Sequence, residues 1–277
     1  GRSHGTLVAD IASRGNPAIR IVPVRFTLPN AAVPPPIDEA MAARMLDYGR
    51  TSIDYLRAEG VRVANLSWGL TARDIEDLLA AHHLEADAET RKRRAQAIFD
   101  TLFDGYAALI ADAPEILFVI AAGNANQNMD FVRDLPASIN LPNVLSVASV
   151  DAAGALSTFA STGPSVDLHA LGENIEALVP GGGRIRATGA SLSAPQVVNA
   201  AAQVLSVRPD LDTAAVVALL VGTATTSAQG LALLDARAAV AAARQLPAPP
   251  PGRPLASPST GRTDMSGRRL APRAIAP

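Results

Sequence analysis

Two hydrophobic periods share this chain, and their alternation predicts its architecture. Residues 5–14 carry a short helical pattern that ends near Gly15. Ile19 to Phe26 alternates and is rich in Ile and Val, which predicts a strand. Pro34-Pro35-Pro36 punctuates a loop, and Asp38 is placed to cap a helix running through Glu59, with Gly60 at its C-cap. Val61 to Ser67 predicts the next strand. Residues 70–92 are polar. Phe99, Leu102, Phe103, Tyr106, Leu109 and Ile110 then recur at helical spacing until Pro114 stops the run. Ile116 to Ala122 and Val144 to Val150 read as buried strands. Shorter extended pieces follow at Val166 to Ala170, Ile175 to Val179 and Arg184 to Ala187, then helices at 191–206, 212–223 and 233–244. Strands alternating with helices imply an α/β fold with a doubly wound, mostly parallel sheet. In such sheets sites form at the carboxyl ends of strands. Ser67 and Asn124 both fall at predicted strand ends, which suits a shared cleft.

Composition narrows the picture. The 277 residues are 48% hydrophobic and 18% charged, enough for one large domain with a sizeable core. That domain is assigned to residues 1–246. From Pro247 to residue 277 the sequence is rich in Pro, Ser and Arg without periodicity, which reads as a disordered tail or linker. A net charge of −2 argues against nucleic acid as a partner, since phosphate contacts need a basic surface. No apolar run reaches the roughly 20 residues of a membrane-spanning helix. The absence of cysteine excludes disulfides, a thiol nucleophile and Cys-ligated zinc.

Three residues carry candidate chemistry. Ser191 stands in Gly189-Ala190-Ser191-Leu192-Ser193-Ala194-Pro195, a small-residue turn leading into the apolar run Val197 to Val207. A serine hydroxyl there needs a neighbouring base to become a nucleophile. Histidine is the usual base, and His4 in Ser3-His4-Gly5-Thr6 is the candidate. A tetrahedral intermediate also needs preorganised donors. The Asn124 side chain, closing Phe118 to Gly123, and the Ser191 backbone N–H would supply them. Taken singly, each residue has a plainer reading: Ser191 as a helix cap, His4 as a cap or surface residue, Asn124 as a turn residue. Other features stay structural. His82 and His83 are adjacent and cannot share a helix face. The basic run 91–94 is a solvated helix face, and His169 sits on a predicted strand. Gly181-Gly182-Gly183 lacks the Lys-Ser/Thr of a phosphate loop and reads as a turn. No residue pattern assigns a metal site.

These motifs, in this order, resemble the subtilisin-like serine proteases, or subtilases. Ser3 to Ala9 is similar to the family's histidine motif. Asn65-Leu66-Ser67-Trp68-Gly69 resembles its substrate-binding strand, and Ala121-Ala122-Gly123-Asn124 its oxyanion segment. Pro136-Ala137-Ser138 with Asn143 to Val147, Phe159 to Pro164, and the Ser191 heptapeptide continue the likeness. Gly230-Leu231 with Asp235-Ala236 closes it. Ala190, Leu192, Gln196 and Leu171 depart from the family's usual Thr, Met, His and Pro.

The resemblance implies a serine endopeptidase. Ser191 would attack, His4 would act as general base, and Asn124 would hold the oxyanion. An extended polypeptide substrate would pair with Ser67, Trp68 and Gly69 on one side and Ala121, Ala122 and Gly123 on the other. The serious departure is the missing triad aspartate. Subtilisin order is Asp, His, Ser. Only three residues precede His4, none acidic, and Asp10 lies on the following helix, pointing away from the imidazole. The chain begins with Gly1 rather than Met, so the aspartate and one or more leading strands are expected upstream, and this chain alone is expected to be impaired. No organic cofactor is implied, and a structural Ca²⁺ only by resemblance. A monomer is expected, with secretion or the cell envelope favoured by the family. The alternative is an inactive subtilase-like domain that binds peptides or partners. An α/β-hydrolase esterase fits less well, because that fold places its His last. Met129 and Phe131 suggest an apolar specificity pocket.

Overall fold

The computed structural model describes residues 3–25, 34–129 and 132–247. Helix α1 (His4–Ser13) opens the chain, followed by α2 (Glu39–Ala58), strand β1 (Val63–Leu66), α3 (Ala72–Ala81) and α4 (Ala88–Ala111). Strands β2 (Leu117–Ala121), β3 (Val144–Val150), β4 (Leu168–Leu171), β5 (Ile175–Leu178) and β6 (Arg184–Ala187) come next. Helices α5 (Ala190–Val207) and α6 (Thr213–Gly222), short strands β7 (Thr225–Thr226) and β8 (Ala232–Leu233), and α7 (Ala236–Gln245) complete the described chain.

Six strands form one sheet in the order β1-β2-β3-β4-β8-β7. All neighbours are parallel except β7 and β8. A parallel sheet needs both faces covered, and β2 shows how one strand meets that demand. Leu117, Val119 and Ala121 pack with α5, α6 and α7, while Phe118 and Ile120 pack with α2, α3 and α4. The period-2 alternation therefore separates two hydrophobic layers on one strand. A separate antiparallel hairpin, β5-β6, turns through Gly181 and Gly182, whose φ values of +95° and +86° suit glycine. Gly181 to Gly183 is thus a hairpin turn, as its sequence suggests.

Local chemistry explains the boundaries. The Asp38 carboxylate accepts from the Met41 N–H at 2.8 Å and starts α2, and Gly60 takes a left-handed φ of +68° just past its end. Helix α5 is buried along most of its length and runs between the sheet and α1 and α7. It contains Pro195, which has no N–H for the Ser191 carbonyl four residues back.

One expectation is corrected. Residues 19–25 form no strand, and Ile21 and Val24 are 44% and 40% exposed; Phe26 lies outside the described residues. An alternating pattern makes a strand only when one face is buried against a neighbour, and here neither is. The stretch 70–92, for which the sequence pattern assigns no element, holds α3 and the first turn of α4. Thr71 and Asp74 form a capping box at the start of α3, and Ile75 and Leu79 are fully buried. Of the tail from residue 247, only Pro247 is described. Among the described residues no helix is long and apolar enough to cross a membrane.

Candidate active site

Three elements converge at the carboxyl edge of the sheet. Ser191 is the second residue of α5, half-buried, behind Gly189. Gly189 has φ +150°, a backbone that glycine tolerates and other residues do not. A Cβ there would stand 3.4 Å from the Asn124 amide nitrogen and 3.5 Å from Ser191 Oγ. A side chain at this position would therefore meet both the hydroxyl and the Asn124 side chain. Asn124 is fixed from the other side: its Oδ1 accepts from the Ala190 N–H at 2.7 Å. That bond commits the oxygen and leaves Nδ2 as the free donor. The Ser191 N–H lies in the first turn of α5, where no intrahelical carbonyl is available to it. Two donors thus border the Ser191 hydroxyl.

The freed Ser191 carbonyl finds a partner outside the helix. Ser67 Oγ donates to it at 3.1 Å and itself accepts from Asn65 Nδ2 at 2.8 Å. The Ser67 side chain thus holds the start of α5, and only its backbone is left for a peptide. Trp68 is half-buried, edge-on to Tyr106 with ring centroids 5.6 Å apart, and packs on the α2–α4 layer. Gln196 Nε2 donates to the Leu171 and Leu192 carbonyls, tying β4 to α5.

His4 is the first residue of α1, which lies alongside α5. Leu7 and Leu192 share a cluster with Ile11, Ile175 and Ala177. Farther along, Asn199 Nδ2 donates to the Ala12 and Arg14 carbonyls, both at 2.9 Å, and caps the end of α1. Those two contacts make the helices parallel, so His4 and Ser191 stand at the same end of the pair. The imidazole is exposed, yet partial desolvation holds its pKa below the ordinary value. No carboxylate contributes to that shift. Asp10 faces elsewhere: it pairs with Arg14 and accepts from the Leu178 N–H at 3.2 Å.

Other expected residues fall into place. Ala121 and Ala122 are buried at the end of β2, and Gly123 follows with φ +106°. The register of β1 with β2 pairs Leu66 with Ile120, so Ser67, Trp68 and Gly69 run out beside Ala121, Ala122 and Gly123. Met129 belongs to the core at 2% exposure, which removes it from any specificity pocket; Phe131 lies outside the described residues. His169 is buried, with Nδ1 3.2 Å from the Ala232 carbonyl oxygen, and burial lowers its pKa. His82 Nε2 lies 2.7 Å from the Pro34 carbonyl oxygen. Among the described residues no three His, Asp or Glu side chains cluster to hold a metal ion.

One group escaped the sequence reading. Asp134 is half-buried directly beside Gly69 and Gly123. Desolvation raises its pKa to about 7, reinforced by the charge of Asp74 and opposed by the Leu70 N–H. The available signal was an acid just before Leu135-Pro136, at the head of a segment already matched to the family.

A sequence model described as the subtilase family matches residues 1–239. A subtilisin-like serine protease, Pen ch 13, of Penicillium rubens is 37% identical over 91 residues, 33% of this chain and 22% of that protein. Subtilisin-like protease 1 of Trichophyton verrucosum is 40% identical over 87 residues, 31% of this chain and 21% of that protein. The matched stretch thus spans about a fifth of these curated relatives. The fold is similar to the crystal structure of a lanthipeptide protease, with TM-score 0.61 and 17% identity, covering 87% of this chain and 76% of that one. Fold, motif order and family match agree: the chain belongs to the subtilase family.

Proposed function

We propose that this chain is the larger part of a serine endopeptidase domain, residues 1–246, acting through an acyl-enzyme on Ser191. The observation that carries the reading is the docking of Asn124 on the Ala190 N–H, with its amide nitrogen and the Ser191 hydroxyl both facing the bare α-carbon of Gly189. Ser191 Oγ attacks the substrate carbonyl carbon while His4 takes the hydroxyl proton. The oxyanion accepts from Asn124 Nδ2 and the Ser191 N–H. His4 then delivers its proton to the departing amine as the peptide C–N bond breaks. Water, deprotonated by His4, attacks the acyl carbon, and the returning proton restores Ser191. The substrate lies extended between Ser67–Gly69 and Ala121–Gly123. Family resemblance favours export or the cell envelope as its location.

His4 needs a carboxylate to orient its imidazole, and we place that aspartate upstream of residue 1. The chemistry is tested by fluorophosphonate labelling of the full-length gene product, its Ser191→Ala variant and the 277-residue chain. The full-length protein is expected to label and Ser191→Ala to stay unlabelled. The short chain should label slower by roughly 10⁴, the loss seen when the orienting acid is disabled. An unlabelled full-length protein with a folded circular dichroism spectrum sinks the protease reading. It favours an inactive peptide-binding domain.

A further inference from the structure

Asp134 occupies the space between the two segments assigned to the substrate. A Cβ built on Gly69 would lie 2.9 Å from its Oδ1 and 3.1 Å from its Oδ2; one built on Gly123 would lie 3.4 Å from Oδ2. The carboxyl group therefore rests against the bare α-carbons of both glycines, one residue from Asn124. No side chain at either position closes that space.

The backbone around Asp134 is firmly held. Leu70 and Leu135 exchange N–H···O bonds at 2.9 Å, and Ser138 bonds both main-chain polar groups of Asp134, at 3.0 Å to its N–H and 2.8 Å to its carbonyl. The carboxyl itself is poorly satisfied. Its Oδ1 shares the Leu70 N–H, at 3.1 Å, with the Leu135 carbonyl. Its Oδ2 accepts no hydrogen bond among the described residues. A half-buried carboxylate in such a setting calls for a cation. The neighbours do not provide one. Asp74, on α3, is acidic and opposes ionisation. Arg133 turns away, 3.1 Å from Asp100 and stacked 3.8 Å over the Phe103 ring.

Resting on the protease reading above, we propose that Asp134 is the specificity residue of the substrate pocket and selects lysine or arginine at the residue whose carbonyl Ser191 attacks. The placement follows from chain geometry. Gly123 is adjacent to Asn124, and consecutive α-carbons are about 3.8 Å apart. In the proposed binding mode, a carbonyl held at Asn124 brings its own residue's side chain alongside Gly123 and Gly69, where the Asp134 carboxyl lies. An ammonium or guanidinium there gives the carboxylate the charge-assisted hydrogen bonds it lacks.

The test uses the full-length protein and peptide amides that differ only at the residue before the scissile bond: Arg, Lys, Leu, Phe or Glu. The kcat/KM for Arg and Lys should exceed that for Leu by at least about tenfold, and Asp134→Asn should lower the Arg-to-Leu ratio by about 10² or more. A labelled enzyme that prefers Leu or Phe, or whose Arg preference survives Asp134→Asn, overturns the assignment and leaves the protease reading standing. Binding of p-aminobenzamidine, a small aromatic amidinium, to the Ser191→Ala protein is read by fluorescence and needs no catalysis. Binding lost on adding Asp134→Asn supports the cation subsite even if no peptide is cleaved. Absent binding, or binding indifferent to Asp134→Asn, overturns it.

Discussion

Asp134 should leave a signature in stability as well as in selectivity. Its pKa rises from the ordinary 3.8 to about 7 on folding, chiefly through desolvation. The folded state thus keeps a proton that the unfolded chain releases between about pH 4 and about pH 7, so stability falls as pH rises through that window. Asp167, also raised by burial, acts in the same direction. Glu39, held near 2 by Arg94, acts oppositely but at lower pH. Melting temperatures taken at about pH 5 and about pH 8 should show a drop that Asp134→Asn removes in large part. An equal drop in the variant would mean that Asp134 ionises as freely as an exposed acid. Preference for a basic side chain should strengthen over the same interval, as the carboxyl becomes charged.

At the level of elements, the start of α5 depends on a proline and a serine distant in sequence. Pro195 withdraws the N–H that would bond the Ser191 carbonyl, and Ser67 supplies a hydroxyl in its place. Ser67→Ala should therefore destabilise the protein by about 1 kcal/mol and slow labelling of Ser191. Ser67→Thr, which keeps the hydroxyl, should recover most of both. Unchanged labelling in Ser67→Ala would show that the first turn of α5 holds its shape without the bond. The helix and its nucleophile were legible in the sequence, because small residues, a proline and an apolar run mark them. The relay was not, since nothing local to Ser67 reveals what it faces 124 residues later. The strand expected over 19–26 failed for a related reason: alternation records a preference for burial, and Ile21 and Val24 stay exposed among the described residues. Helix α3 was overlooked although Thr71 and Asp74 carry its capping signal, because its exposed face dominates the composition of so short a segment. Strands β7 and β8, at two residues each, are below the length at which any period can be seen.

Across the whole molecule, the parallel sheet separates a layer that holds the site from one that does not. Val119, Leu145, Val197 and Val204 lie in the layer built on α5; Phe118, Ile120, Phe99 and Leu102 lie in the other. Motif order made the first layer readable from the chain, since Ser191 and the β2 end flank it. Asp134 reaches the site instead through the loop that pairs Leu135 with Leu70. This division predicts different consequences for cavities in the two layers. Val197→Ala and Ile120→Val each remove buried carbon from a fully covered position; Ile120→Val should cost roughly 0.5–1.5 kcal/mol and Val197→Ala, which loses two carbons rather than one, more than that. The Val197 cavity lies under α5, less than two turns from Ser191, and packing there sets the position of Gly189 and the oxyanion donors. The Ile120 cavity opens on the opposite face, against α2, α3 and α4, which carry none of the three candidate catalytic residues. Labelling rates of the full-length protein should fall several-fold more in Val197→Ala than in Ile120→Val once unfolding free energies are matched by denaturant titration. Equal losses would mean that the sheet transmits strain between its faces, and that the geometry around Ser191 is set by both layers together.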